Sequence, residues 1–361
     1  RLGPLHLLLP HALAGDPGVD IYNGAIHFMS CNVPDYLPWG ENSLSLTVTE
    51  GSQAVSGAQV CLYKADELQT VGVTDAAGQI TLPLNVAATG NVKVTVTKHN
   101  FFPIVDSMDV VQNPVSFGYY SHTVDDDNSG GSSGDNDHII NPGEIVQIPT
   151  VFKNYGASTT ATGISVIASE TDPYVTLSSA TQTFPNLAPG ATGGSSGSFL
   201  LSVSPDCPHN HTIPLNFLTT ADQGSWNGLL NLGVISYRMI INSSIASGSD
   251  TLLSPGETAN LILYVKNTGG KTASLLTAAL VSLDSLVTVN DNSAGFGTVN
   301  VGMSANCAGN PFNVTASNSA LRGHKANLAV TFSANGATQT DTITLQLGIK
   351  LSTDPQGPDE Y

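Results

Sequence analysis

The chain is predicted to be all-β, with three consecutive antiparallel sandwiches of which the last two are copies of one unit. Three observations predict this. Short runs alternate apolar and polar residues throughout: Ser43-Leu44-Ser45-Leu46-Thr47-Val48-Thr49, Asn91-Val92-Lys93-Val94-Thr95-Val96-Thr97, Asn260-Leu261-Ile262-Leu263-Tyr264-Val265 and Thr342-Ile343-Thr344-Leu345-Gln346-Leu347. A period of two turns one face of each run to a core and the other to water. Gly, Pro, Asn and Asp punctuate the runs every 8–12 residues or so, the rhythm of antiparallel sandwiches, and no long window carries a helical period.

The third observation is a repeat. Asn141-Pro142-Gly143-Glu144 recurs as Ser254-Pro255-Gly256-Glu257, and Lys153-Asn154-Tyr155-Gly156 as Lys266-Asn267-Thr268-Gly269, both 113 residues on. Phe199 and His211 answer Phe312 and His324 at the same spacing, and Asp172-Pro173-Tyr174-Val175-Thr176-Leu177 answers Asp284-Ser285-Leu286-Val287-Thr288-Val289 at 112. A period this long is that of duplicated whole domains, not of a solenoid. The expected divisions are 1–117, an immunoglobulin-like domain with an N-terminal extension; 118–236 and 237–351, the two β-sandwich repeats; and 352–361, a polar linker or tail.

Taken in order, the first domain reads as a strand entered by a glycine turn, Val55-Ser56-Gly57-Ala58-Gln59-Val60-Cys61-Leu62-Tyr63-Lys64. Two strands then flank the turn Asp75-Ala76-Ala77-Gly78, and the alternating run to Thr97 follows. In each repeat Pro-Gly makes a turn and Glu opens a strand. That strand ends at Asn-x-Gly, which is expected to close a hairpin because both residues tolerate positive φ. Pro149, inside the first copy of the strand, points to an edge or a bulge.

Composition narrows the function. Only 11% of residues are charged, against roughly 25% in an average soluble domain, so Ser, Thr, Asn and Gly must build the surface, as in extracellular β-proteins. A net charge of −17 repels nucleic acid and anionic membranes and attracts cations. No run of about 18 apolar residues exists to span a bilayer. The expected partners are other domains of a longer parent chain, or further copies of this chain in a homopolymer or fibre. The apolar stretch Leu5 to Leu13 is either a donor or docking segment, an ordinary first strand, or the remnant of a neighbouring domain. Cys31, Cys61, Cys207 and Cys307 lack zinc-site spacing; Cys31 and Cys61 form a disulfide or remain buried thiols.

The first domain resembles the immunoglobulin-like domain that follows the catalytic domain of gingipain-type cysteine peptidases. The resemblance is carried by Ala14-Gly15-Asp16-Pro17, Gly57-Ala58-Gln59-Val60-Cys61-Leu62, Thr74-Asp75-Ala76-Ala77-Gly78 and Val94-Thr95-Val96-Thr97-Lys98-His99-Asn100, over about residues 14–110. The two repeats resemble the sandwiches that follow such domains in large secreted bacterial proteins. The resemblance implies a secreted or cell-surface bacterial parent whose catalytic residues, if it has any, lie before Arg1.

One segment offers chemistry. Asp125, Asp126, Asp127, Asn128, Asp135, Asn136 and Asp137 surround a Gly/Ser-rich turn, with Glu144 downstream. Calcium takes six to eight hard oxygens from flexible loops, and so many carboxylates repel one another unless a cation neutralises them. Calcium is the cofactor this set would hold; the alternative is a solvated acidic linker. The matching place before the third sandwich, Ser247-Gly248-Ser249-Asp250, has lost most of the ligands. Cys207 beside His209 and His211 has the residue types of a nucleophile and base, but His211 is a repeated position, which points to packing. No nucleophile elbow, phosphate loop or His-Glu-x-x-His motif appears, so the chain is expected not to be an enzyme. Trp39, Trp226, Tyr119 and Tyr120 form either a sugar-binding face or packing. The functional readings are therefore a stalk, spacer or fibre subunit; an accessory region of a secreted gingipain-type peptidase; or an adhesin for carbohydrate or protein.

Overall fold

A computed structural model describes residues 23–247 and 251–349. Leu5 to Leu13, the Ala14–Pro17 string, most of the Ser247–Asp250 stretch and the tail from Ser352 lie outside the described residues. Among the described residues there is no helix, and none long and apolar enough to cross a membrane. The fold is all-β, in immunoglobulin-like sandwiches. The chain forms two compact units. The first comprises Arg1–Gly118, Asn154–Thr160 and Ala188–Gly190; the second comprises Tyr119–Lys153, Ala161–Leu187 and Ala191–Tyr361.

In the first unit a five-stranded sheet runs Tyr36–Pro38, Ile104–Val111, Gly90–Thr97, Gln59–Lys64, Leu68–Val73. The facing sheet is built on Ser43–Glu50, which pairs with Ser30–Cys31, Gln53–Ala54 and Gln79–Pro83. Alternation decides what is buried: Leu44, Leu46 and Val48 meet Val60, Leu62, Val92, Val94 and Val96 in one core, all at most 4% exposed. All four cysteines are free thiols. Cys31 sits in the smaller sheet opposite Val48 and Cys61 in the larger one opposite Val71 and Thr95. Burial, helped by Asp106, pushes the Cys31 thiol up.

In the second unit, the first repeat packs Thr181–Thr183, Ser165–Ser169, Thr212–Ala221 and Gly224–Gly233 as one sheet, faced by shorter sheets that include Ile145–Ile148 with Phe199–Val203 and Thr150–Asn154 with Thr192–Gly194. The second repeat has Ser293–Val299, Ala273–Ser282, His324–Ala334 and Ala337–Leu347 against Met239–Ala246, Thr258–Asn267, Phe312–Ala316 and Val287–Asp291. Its core, from Tyr237 to Leu347, includes Leu261, Leu263, Val265, Phe312, Val330 and Phe332, each fully buried.

Two local expectations change. Pro149 follows the edge strand of a three-stranded sheet, and the unbroken strand expected around it does not form. The proline divides that strand into Ile145–Ile148 and Thr150–Asn154, which pair with different partners, because proline offers no N–H to a ladder. At the matching position the second copy has Ile262, and Thr258–Asn267 runs unbroken. Nor does Asn-x-Gly close a hairpin: the next strands, Ser165–Ser169 and Ala273–Ser282, belong to the opposite sheets. Asn154 and Asn267 are fully buried and do not adopt positive φ. Each accepts the N–H of the glycine two residues on, at 2.9 and 3.0 Å, and donates to a carbonyl of the following loop. The asparagine is thus a side-chain bracket for a crossing between sheets.

Candidate metal centre

The acidic loop runs between the strands Phe117–His122 and Ile145–Ile148, where Asp125 is fixed by reciprocal backbone hydrogen bonds with Gln147 of 2.9 and 2.8 Å. Within it the eight predicted residues separate by role. Asp125 Oδ1 accepts the Asp127 N–H at 3.4 Å. Asp127 Oδ1 accepts from the Ser129 N–H at 2.8 Å and the Ser132 hydroxyl at 3.3 Å, and these serine contacts hold its carboxyl below the ordinary value. Asn128 ties the loop across itself, donating to the Gly134 carbonyl at 2.7 Å and accepting its N–H at 3.2 Å. Asn128 and Asn136 take positive φ, 66° and 59°, the left-handed turns for which asparagine suits.

Asp126, Asp135 and Asp137 are the three that converge, each with a carboxylate oxygen within 4.8 Å of the others. Asp126 is fully buried, and its oxygens accept the N–H groups of Asp137 and His138 at 3.1 and 3.2 Å. Glu144 stands beside them: a side chain on Gly134 would strike Asp126 Cβ at 2.7 Å and Glu144 Cδ at 3.1 Å. Its Oε2 accepts the Asn141 N–H at 2.9 Å, a link that Glu257 repeats on Ser254 at 2.9 Å. Burial pushes the Glu144 carboxyl up to about 7, partly opposed by the Asn141 hydrogen bond and by Lys271.

The residue that sequence reasoning missed is Lys271. Its ammonium lies 2.6 Å from Asp135 Oδ2 and 3.0 Å from Asp137 Oδ2, and it also donates to Asn141 Oδ1. Burial disfavours its charge, but the two carboxylates outweigh this and raise it above the ordinary lysine range. The loop's demand for a counter-charge was readable. That a side chain 136 residues away meets it was not, since nothing in the local sequence marks that pairing.

The other chemistry-bearing residues have structural neighbours. His211 Nε2 pairs with Asp172 Oδ2 at 2.6 Å, and its ring meets the edge of Tyr174. His324 repeats this on Asp284 at 2.8 Å. Cys207 is 2% exposed and burial, with Asp172 adding, pushes its thiol up to about 11, the reverse of what a nucleophile needs. His209 Nδ1 accepts the Ser236 N–H at 3.1 Å. Trp226 is 5% exposed, Trp39 donates to the Val86 carbonyl, and Tyr119 joins an aromatic core; of the four aromatics named from sequence only Tyr120 presents a mostly exposed ring, 55%.

The repeated pair gives a pH prediction. The Asp284 carboxyl is held below its ordinary value of 3.8 by the Leu286 N–H first and by His324 next. A depressed carboxylate stabilises the fold above its unfolded pKa, and that stabilisation is lost as pH falls through the folded one. Asp284→Asn should therefore narrow the stability gap between pH 7 and pH 3 in urea melts. An unchanged gap would remove Asp284 from the acid response.

No family model and no curated protein matches this chain. Among solved structures it is similar to native alpha-2-macroglobulin of Escherichia coli, with 10% identity and a TM-score of 0.26 over 88% of this chain and 31% of that one. It is similar too to invasin, a bacterial integrin-binding protein (13%, TM-score 0.21, 88% and 60%), and to an I-band fragment of titin (10%, TM-score 0.20, 90% and 99%). The chain spans about a third of the macroglobulin's length.

Proposed function

We propose that the chain is a non-catalytic extracellular module array: a stalk, spacer or fibre subunit of a secreted or cell-surface bacterial protein. One observation carries the reading. The histidine that most invites catalysis sits, with its aspartate, in a corner pair that occurs in both repeats, at 2.6 and 2.8 Å. A pair duplicated along with its sandwich holds a loop to a strand in each copy. The low charge content and the Ser/Thr-rich surface support placement outside the cell. In a parent of the gingipain type the array would follow the catalytic domain and orient or stabilise it. Electron microscopy of the native particle tests the reading. Regular head-to-tail copies, or a rod separating two domains, are expected. A single copy folded against a peptidase domain would favour the accessory role, and turnover of a substrate by this chain alone would overturn both.

Calcium is the cation that the acidic loop fits best. Three converging carboxylates supply hard oxygens, and one lysine leaves them net negative. Calcium at about 100 times its Kd adds about 2.7 kcal/mol to a folded state that alone binds it. Adding a chelator should therefore lower Tm by several degrees. An unchanged melt would sink the calcium reading.

A further inference from the structure

We propose that Lys271 is a tethered cation that latches the second repeat into the acidic loop of the first and competes there with a divalent metal; the competition rests on the calcium reading above. The joint between the repeats is closely fitted. Within the first repeat, the Asn141 amide donates to the Ile235 carbonyl at 2.7 Å, which ties Asn141 to the segment leading into the second sandwich. The Pro142-Gly143 turn abuts the Asn335-Gly336 turn so tightly that a Cβ on Gly143 would lie 2.4 Å from the Gly336 carbonyl oxygen. Thr338 donates its N–H to the Pro205 carbonyl at 2.8 Å and its hydroxyl to Asp206. These contacts are neutral or peripheral. Among the described residues, only at Lys271 does a charge from one repeat enter a cluster of opposite charge on the other.

The placement of Lys271 is built. Its own carbonyl is held at 2.8 Å by the buried Asn267 amide, so the bracket that ends the strand also aims the lysine. Its ammonium takes one oxygen from each of Asp135 and Asp137, two of the three carboxylates that converge there with Asp126, and the side-chain oxygen of Asn141. The cluster therefore already holds a cation. A second one at a few ångströms repels it strongly, since the site is partly desolvated. A divalent ion gains the full set of oxygens only by expelling the ammonium. Metal entry and latch closure then oppose each other: the joint is fastened when calcium is scarce and released as calcium rises.

The test uses the full chain, titrated with calcium chloride in a calorimeter, as wild type and as Lys271→Met, which keeps the side chain's length and removes its charge. The variant should bind calcium about tenfold more tightly or better, the scale of removing one neighbouring like charge from a half-buried site. Equal or weaker binding by the variant, or no binding by either protein, would overturn the proposal. Binding by the variant alone would uphold the latch while removing calcium from the wild-type protein. Amine acetylation read by mass spectrometry supplies a measure that needs no metal. Lys271 should be modified several-fold more slowly than the exposed Lys325, and Asp135→Asn with Asp137→Asn should erase that protection. Equal rates at Lys271 and Lys325 in the unaltered chain would also overturn it.

Discussion

Asn267→Ala is expected to cost about 3–5 kcal/mol of folding stability, among the larger losses a single polar substitution produces. The side chain is fully buried and its whole hydrogen-bonding capacity is used. The amide donates to the carbonyls of Lys271 at 2.8 Å and Val299 at 3.0 Å, and the oxygen accepts the N–H groups of Gly269 at 3.0 Å and Arg238 at 3.2 Å. Alanine strands two donors and two acceptors of the main chain. Each orphaned buried group costs about 1–3 kcal/mol, reduced where water can reach the loop. Asn267→Asp should be nearly as costly, since it removes both donors and aims a charge at two carbonyls. Urea unfolding measures both, and a loss below about 1 kcal/mol for the alanine variant would show that water takes over the bracket's bonds. Acetylation of Lys271 should rise in the same variant, because the carbonyl that positions that residue is no longer held.

The same asparagine shows how far the sequence could be read. Its recurrence at 113 residues was plain, and so was its place at the end of an alternating run. Its role was misread, because positive-φ tolerance is a property of the residue type, whereas the bracket depends on a carbonyl, that of Val299, brought from 32 residues away. Alternation worked where each strand has one wet face: the run Asn91 to Thr97 lies within Gly90–Thr97, and Thr342 to Leu347 within Ala337–Leu347. It could not say that Pro149 would break one copy of a strand that the other copy keeps whole, since the two sequences alternate alike there. Register likewise identified Asp172 and Asp284, and His211 and His324, as repeated positions. Their pairing spans 39 and 40 residues and follows no period. The acidic loop illustrates the division most clearly. Its composition fixed the sign and size of the charge to be met, and only the folded chain shows that an ammonium from the neighbouring repeat meets part of it.

Phe217→Ala should be comparably severe, about 3–5 kcal/mol, for an apolar reason. Phe217 is 2% exposed and joins the largest aromatic cluster in the first repeat. Its ring stacks with Phe199 at 5.4 Å and Tyr119 at 6.2 Å, and meets Phe152 edge-on at 5.5 Å; Phe152 in turn meets Phe184 at 4.9 Å. Alanine removes buried ring surface and several aromatic pairs, each worth about 0.5–1.5 kcal/mol beyond area, and leaves a cavity that rigid strands cannot close. Phe217→Leu, which fills most of the volume, should lose about half as much or less. Calorimetry gives this prediction a second use. The two repeats sit in one compact unit, fastened at Lys271, Gly143 and Thr338. If that joint couples them, the cavity in the first repeat lowers a single shared transition. If the joint is weak, the first repeat melts alone, by more than about 10 °C earlier, and the second keeps its own transition. Adding Lys271→Met to Phe217→Ala should then convert the first pattern into the second, because both ion pairs that Lys271 makes between the repeats would be gone. A single transition in the doubly altered chain would place the coupling in the Gly143–Gly336 and Thr338 contacts instead.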